Sequence, residues 1–257
     1  MGFLSDLVSE LRRELDARPS DDVGLHARAR AMPPPRDFEA ALSGPGTALI
    51  AEVKRASPSA GHIADAEPAE LASEYERGGA SAISVLTEPR HFGGSLDDLR
   101  AARASTSLPL LRKDFLVHPG QVAEARLAGA DAVLLITGAL SDDELTAMLQ
   151  SAKELQLSAL VEAHTASDLE RALASGAQVV GVNARDLETL DVDEDRALEL
   201  LARIPADRTA VFESGVSSRE QVRRAEAAGA AAVLVGEALM RAASASDAIS
   251  ELLGQTS

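Results

Sequence analysis

The chain has 257 residues, no cysteine and a formal net charge of −16 at pH 7. Such an acidic balance argues against nucleic acid or an anionic membrane as the main partner, because both need a basic surface that displaces counterions. Without cysteine there is neither a disulfide framework nor a thiolate site, no apolar run is long enough to span a bilayer, and a cytoplasmic protein is the expectation.

The first segment, FLSDLVSELRREL, places Phe3, Leu4, Leu7, Val8, Leu11 and Leu15 along one side of an amphipathic helix, and its acidic residues do not suit an import peptide. Pro33-Pro34-Pro35 then breaks the chain and Ser43-Gly44-Pro45-Gly46 turns it. Residues 1–46 therefore read as an N-terminal helical extension of one or two helices that packs on whatever follows.

The stretch IAEVK opens the main body as a strand. Side chains two apart share a face, so Ile50, Glu52 and Lys54 project together while Leu49, Ala51 and Val53 point the other way. A charged face of this kind is either a solvated ion pair on a sheet edge or a functional pair. Further along, GGASAISVL, AGADAVLLI, SGAQVVGV and AGAAAVLVG repeat at intervals of roughly fifty residues, about two strand-plus-helix units. In each, a Gly suits the left-handed end of a helix, and the short β-branched run after it suits a strand covered on both faces. Between the repeats lie strands at LPLLRKDF, LSALVEAH and RTAVFESG, and helical patterns such as SDDELTAMLQSAKEL and SREQVRRAEAA. Eight strands alternating with helices predict an α/β fold, a (β/α)8 TIM barrel forming a single domain over 1–257 with its extension. No GxGxxG follows the first strand, which counts against an open dinucleotide-binding sheet.

Barrel chemistry sits where the C-terminal strand ends and their loops converge. There the chain carries Glu52 and Lys54, Lys113, Glu162, Asn183 with Arg185, and Glu213 with Ser214. A closed barrel has no edge, which weakens the solvated-pair explanation. Lysines occur only at positions 54, 113 and 153. Two of three at strand ends suggest a need for an ammonium tunable for proton transfer, although ion-paired structural lysines at the mouth would look the same. Glu162 suits a partner of Lys113. His164 shares its face, but no second His stands at metal-ligand spacing, so a supporting role is expected. Ser214-Gly215 and Gly236-Glu237 follow the seventh and eighth strands, where such barrels cradle phosphate, with Glu237 obliged to turn its carboxylate away. Of five Phe, Phe92 and Phe115 stand beside these loops, suited either to a ligand ring or to ordinary packing.

AEVKRASPS, SVLTEPRHFGGS, LLRKDFLV, LVEAH, GVNARDLETL, ESGV and LVGEALM, in this order along essentially the whole chain, resemble the signature segments of the indole-3-glycerol phosphate synthase family. The resemblance implies a carboxy-lyase of tryptophan biosynthesis that acts on a small anionic phosphosugar–anthranilate substrate, 1-(2-carboxyphenylamino)-1-deoxyribulose 5-phosphate. Its products are indole-3-glycerol phosphate, carbon dioxide and water, and neither a metal nor an organic cofactor is implied. By the same resemblance Lys113 is the general acid, Glu162 serves the proton transfers of dehydration, and Lys54, paired with Glu52, contacts anionic groups and shares in proton donation. Asn183, Arg185 and Glu213 orient the substrate, and Ser57 and Ser214 are further binding positions. Gly215, Gly236 and Glu237 form the phosphate loop, and Phe92, Phe115, Leu134 and Leu234 form an apolar wall for the anthranilate ring.

Three departures stand out from that pattern: Ala60 where many members carry Lys, Ala184 where Asn is frequent, and Phe212 where Ala is common. Loss of a charge near the first loop predicts weaker substrate capture, and Phe212 is expected to face the helices. Two rivals share the residues: an aldolase-type enzyme with Lys113 as a Schiff base, and a catalytically silent phosphate binder. The sequence leaves the oligomeric state open, a monomer included.

Overall fold

Strands and helices alternate along the computed structural model, which describes residues 2–17 and 21–255. The N-terminal segment holds α1 (Phe3–Ala17), α2 (Asp22–Arg30) and α3 (Phe38–Leu42). The first half of the barrel follows as β1 (Ala48–Val53), α4 (Pro68–Arg77), β4 (Ala82–Leu86), α5 (Leu96–Ser105), β5 (Leu110–Lys113), α6 (Pro119–Leu127), β6 (Ala132–Ile136) and α7 (Asp142–Glu154), with a small hairpin of β2 (Ala56–Ser57) and β3 (Gly61–His62) after β1. The second half is β7 (Ser158–Ala163), α8 (Ala166–Ala174), β8 (Val179–Asn183), α9 (Glu194–Leu201), β9 (Thr209–Glu213), α10 (Arg219–Ala227), β10 (Ala232–Val235), α11 (Glu237–Arg241) and α12 (Ala245–Leu253). The expected unit of 1–257 includes Met1, residues 18–20 and residues 256–257, which lie outside the described residues.

Eight strands close into one barrel in the order β1-β10-β9-β8-β7-β6-β5-β4, every pair parallel. The register decides which side chains fill it. Glu52 stands beside Ser84, Leu86 beside Lys113, Ile136 beside Glu162, Glu162 beside Gly181, Asn183 beside Glu213, and Glu213 beside Leu234. Because neighbours in register share a face and faces alternate along each strand, these residues all point into the barrel. Phe212, next to Glu213, falls on the outward face, where it is fully buried under the helices.

Helix ends follow local chemistry. Ser95, Ser141, Thr165 and Ser218 each cap the helix after a barrel strand by accepting a backbone N–H. At the other end, Gly79, Gly129, Gly176 and Gly229 have φ of +91°, +96°, +81° and +101°. At three of them the next residue bonds back to the helix: Ala80 N to Tyr75 O, Ala130 N to Ala125 O, and Ala230 N to Ala225 O, at 2.9–3.0 Å. These are the four glycines of the sequence repeat.

The extension has three helices rather than one or two. α2 and α3 are short and begin at Asp21 and Asp37, whose carboxylates accept from Gly24 N and Ala40 N. Only Ala29 of α2 is buried, so no apolar stripe announced it. α1 lies across the C-terminal face of the barrel with Leu4, Leu7 and Val8 buried. Arg12 pairs with Glu144 at 2.9 Å, Glu10 and Glu14 hold Arg90, and Ser5 donates to Glu188. Exposed pairs contribute roughly 0.2–1 kcal/mol each, whereas burying one aliphatic side chain contributes about 1.5–3 kcal/mol. The apolar face therefore holds α1 down and the ion pairs set its register. Among the described residues, no helix is long and apolar enough to cross a membrane.

The helix-end geometry is testable at Gly229, where an added Cβ would meet nothing within 4 Å. Gly229→Ala is expected to lower unfolding stability by about 1–3 kcal/mol through backbone strain alone. Urea denaturation and circular dichroism measure the loss, and catalytic turnover at low temperature is expected to be unchanged.

Candidate active site

Lys113 ends β5, and its Nζ donates to Glu162 Oε2 and Glu213 Oε2, each at 2.9 Å. Both carboxylates are 1% exposed. They come from β7 and β9, on either side of β8, and the strand between them leaves room because it carries Gly181. A Cβ there would lie 2.2 Å from Glu213 Oε1. Burial works against the charge on Lys113, yet Glu162, Glu213 and Glu52 outweigh it and hold the ammonium above the ordinary lysine range. Burial alone would push Glu162 up, but Lys113 and His164 pull it well below the usual carboxylate range. Burial pushes Glu213 up to about 8, with Lys113 opposing and Glu162 adding to the rise. His164 Nε2 stands 3.2 Å from Glu162 Oε1, as a close neighbour rather than an aligned donor.

A second pair lies on β1 and just beyond it, where Lys54 Nζ is 2.9 Å from Glu52 Oε1. Gly236 makes space for it, since a Cβ there would approach Glu52 Oε1 to 2.5 Å. Lys54 leads into the β2–β3 hairpin, a structure absent from the sequence reading. Ser57 Oγ accepts from Ala60 N at 3.1 Å inside its turn. Arg55 fastens the hairpin base to α5 by two bonds to Asp98, 2.8 and 2.9 Å long, and by one to Ala66 O. After β9, Ser214 and Gly215 have φ of +70° and +81°. For Ser214 this left-handed conformation costs about 1–3 kcal/mol, the kind of strain that gathers at functional turns. Glu237 does not face the mouth uncompensated, because Arg241 Nε bonds its Oε1 at 2.9 Å. Asn183 Oδ1 accepts from Arg185 N, and Arg185 reaches Leu190 O at 2.8 Å.

These groups line one cavity of about 360 Å³. Every sequence-predicted residue reaches it: Glu52, Lys54, Ser57, Phe92, Lys113, Phe115, Leu134, Glu162, Asn183, Arg185, Glu213, Ser214, Gly215, Leu234, Gly236 and Glu237. One side is apolar, with Phe92 and Phe115 ring centroids 6.2 Å apart. Phe3 of α1 joins them 6.3 Å from Phe115, and Leu187 and Leu190 also line the cavity. Sequence reasoning assigned Phe3 only to a packing stripe and missed both leucines and Arg241. The scarcity of aromatics was the available signal, since three of the five Phe line the cavity.

Two buried networks hold the lining residues. Arg112, on the outward face beside Lys113, bonds Asp114 Oδ2 at 2.9 Å and Gln121 O at 2.9 Å, and Thr87 donates to the same Asp114 oxygen. Glu88 accepts from the backbone N–H of Arg90, His91 and Phe92, which shapes the loop carrying Phe92. Of the family departures, Ala60 sits in the hairpin turn and Ala184 is fully buried under the β8 loop.

A lysine held between two buried carboxylates at the C-terminal mouth of a closed parallel barrel belongs to the TIM-barrel enzymes. The model of the family described as indole-3-glycerol phosphate synthase matches residues 4–252, and the chain belongs to that family. A relative named indole-3-glycerol phosphate synthase from Micrococcus luteus is 52% identical over 249 residues, covering 94% of this chain and 93% of that protein. One of the same name from Nocardioides sp. is 49% identical and covers 99% of each chain. Among solved structures, 3-hexulose-6-phosphate synthase aligns with a TM-score of 0.62 at 18% identity, over 82% of this chain and 100% of that one. A tryptophan synthase α-subunit from Pyrococcus furiosus aligns with a TM-score of 0.62 at 18% identity, over 80% and 98%. At such identities the structural likeness concerns the barrel alone.

Gly181 provides a test of the cluster's geometry. In Gly181→Ala the new methyl displaces the Glu213 carboxylate, and a shift of about 1 Å in such a group costs on the order of 10²-fold in turnover. The expected outcome is a kcat loss of that size with KM changed much less, measured by steady-state kinetics on a variant shown to be folded.

Proposed function

We propose that the chain closes the indole ring of 1-(2-carboxyphenylamino)-1-deoxyribulose 5-phosphate, with release of carbon dioxide and water. The observation that carries the reading is Lys113, held between Glu162 and Glu213 in a cavity that Phe92, Phe115, Leu134 and Leu234 also line. In this reading the anthranilate ring lies on Phe92, Phe115, Leu134 and Leu234, with Phe3 closing over it. The extension and the barrel then act as one unit, because α1 supplies part of the wall. The phosphate is held at Ser214, Gly215, Gly236 and Glu237, whose carboxylate Arg241 neutralises. Ser57 and Arg185 serve the remaining polar groups, and Lys54 answers the substrate carboxylate or phosphate.

The chemistry follows from the charges. The ring carbon bearing the carboxylate attacks the ketone carbon, and a carbon–carbon bond forms as the carbonyl π pair moves to oxygen. Lys113 is charged at neutral pH, so it polarises that oxygen and transfers a proton as alkoxide character develops. Loss of carbon dioxide returns an electron pair to the ring. Dehydration then needs a proton delivered to the departing hydroxyl and another removed from the carbon chain. Glu162, held ionised, is the base for the removal, while Asn183 and Glu213 orient the reacting segment. Glu52 holds Lys54 in place through the ion pair between them. A cytoplasmic location belongs to the same proposal, since a substrate carrying a phosphate and a carboxylate does not cross a bilayer unaided.

Lys113→Arg separates charge from proton transfer. The guanidinium stays cationic but has a pKa above about 12 and a wider planar head, so it is a poor and misplaced acid. Turnover is expected to fall by roughly 10² to 10⁴ with substrate binding largely retained. Single-turnover kinetics following indole fluorescence measure it, and near-normal chemistry in the variant would remove Lys113 from the acid role. Borohydride trapping with substrate is expected to yield no covalent adduct, and a trapped adduct at Lys113 would favour the Schiff-base alternative.

A further inference from the structure

Two carboxylates that are nearly inaccessible to solvent share one ammonium. Other charged or titratable groups around them come from β1, which brings Glu52 already paired with Lys54, from the end of β7, which brings His164, and from the end of β8, which brings Arg185 turned to Leu190 O. Asp114 of the β5 loop is occupied by Arg112 and Thr87. The remaining strands contribute Ser84, Leu86, Leu134, Ile136 and Leu234, which carry no charge. One ammonium therefore faces two carboxylates that are each 1% exposed, and two adjacent buried carboxylates do not both ionise when a single cation serves them.

The surroundings decide which one keeps the proton. Glu162 has Lys113 at one oxygen and His164 Nε2 3.2 Å from the other. Glu213 has Lys113 at one oxygen, while its Oε1 is buried without a hydrogen-bond partner among the described residues. That oxygen sits over the bare Cα of Gly181, where neither a donor nor a cation supports a negative charge. We infer that Glu213 is a neutral carboxylic acid in the resting enzyme and that Glu162 is the ionised member of the pair. The rise of the Glu213 carboxyl towards 8 and the depression of Glu162 run in the same direction.

This assignment rests on the acid and base roles given above to Lys113 and Glu162, and it deepens them. With Glu213 neutral, Lys113 balances a single carboxylate and the trio carries no net charge. Glu162 is then the one base within it, and Glu213 is a positioning residue that offers an O–H to Glu162 or to a substrate oxygen. When Glu213 ionises, a second negative charge binds the Lys113 proton more tightly and makes it a weaker acid, so turnover declines.

Infrared spectroscopy of the substrate-free enzyme, with glutamate labelled by carbon-13 at the side-chain carboxyl, tests the inference directly. The wild-type protein at neutral pH is expected to show the C=O stretch of a protonated carboxylic acid, which disappears with a midpoint near pH 8. The band is expected to be absent from Glu213→Gln. Loss of the band from Glu162→Gln together with its survival in Glu213→Gln would overturn the assignment, and so would a wild-type spectrum lacking it at neutral pH.

Stability gives a second readout. A carboxyl raised from 4.5 to about 8 on folding contributes stability that is complete below 4.5 and lost as pH rises through 8. Wild type is therefore expected to lose thermal stability relative to Glu213→Gln across that window, and parallel curves would count against the proposal. In kinetics, wild-type kcat/KM, which reports the free enzyme, is expected to fall above the same midpoint, a limb that Glu213→Gln lacks whatever its residual rate. Should Glu213→Gln fail to fold, neutron diffraction of wild-type crystals decides, with a deuteron expected on the Glu213 carboxyl and one on Glu162 instead overturning the assignment. The spectra and melting curves involve no substrate, so failure of the functional reading would show in turnover while leaving the proton assignment separately measured.

Discussion

The ammonium of Lys113, held 2.9 Å from two buried carboxylates, is the interaction on which the rest of the site depends. Isolated from its partners, any of these three charges would be expelled from so dry a position or neutralised. Three different strands have to deliver them to one point, and only a closed sheet with fixed register does so without long flexible loops. The barrel supplies that rigidity, and the glycine at 181 supplies the volume. A side chain at that position would occupy the space the Glu213 carboxylate needs.

Such a cluster costs stability, and the surroundings offset it in two ways. Below the charges, Ile50, Leu111, Leu160, Val179 and Val211 fill the barrel with close-packed apolar groups. Outside it, Arg112 and Asp114 form a second buried pair that flanks Lys113 in sequence but faces the helices. Alternation makes this arrangement possible: in RKD, the middle residue enters the site while its neighbours anchor the strand end from behind. The charged triplet is thus two networks on opposite faces of one strand.

Closure of the cavity is assigned to elements that are not part of the barrel cycle. α1 is tied to the loops after β4, β6 and β8 through Arg90, the carbonyl of Ala139 and Glu188, and to α7 through Glu144. Its Phe3 reaches the ring cluster of Phe92 and Phe115. The N-terminal helix thus joins the cavity lining to the loops around its mouth. The hairpin after β1 completes the rim, tied down by Arg55.

Local chemistry was legible without coordinates. Period-two alternation in IAEVK, the four helix-ending glycines and the charged strand ends are set by a few adjacent residues, and they determined the barrel, its inward face and most of the cavity lining. What the sequence did not contain was proximity between distant strands. Glu162 and Glu213 are 51 positions apart, and nothing local says that they share one lysine or that Gly181 separates them by an empty volume. The same holds for Phe3, whose place in an apolar stripe is a property of its own helix but whose contact with Phe115 depends on where that helix docks. The short capped helices α2 and α3 escaped because α2 buries only Ala29 and α3, five residues long, is too short to show a period. Residue types and their faces follow from covalent geometry and water. Which charge faces which, and in how much solvent, follows from closure of the barrel, so the protonation pattern of the site was decided by the tertiary structure alone.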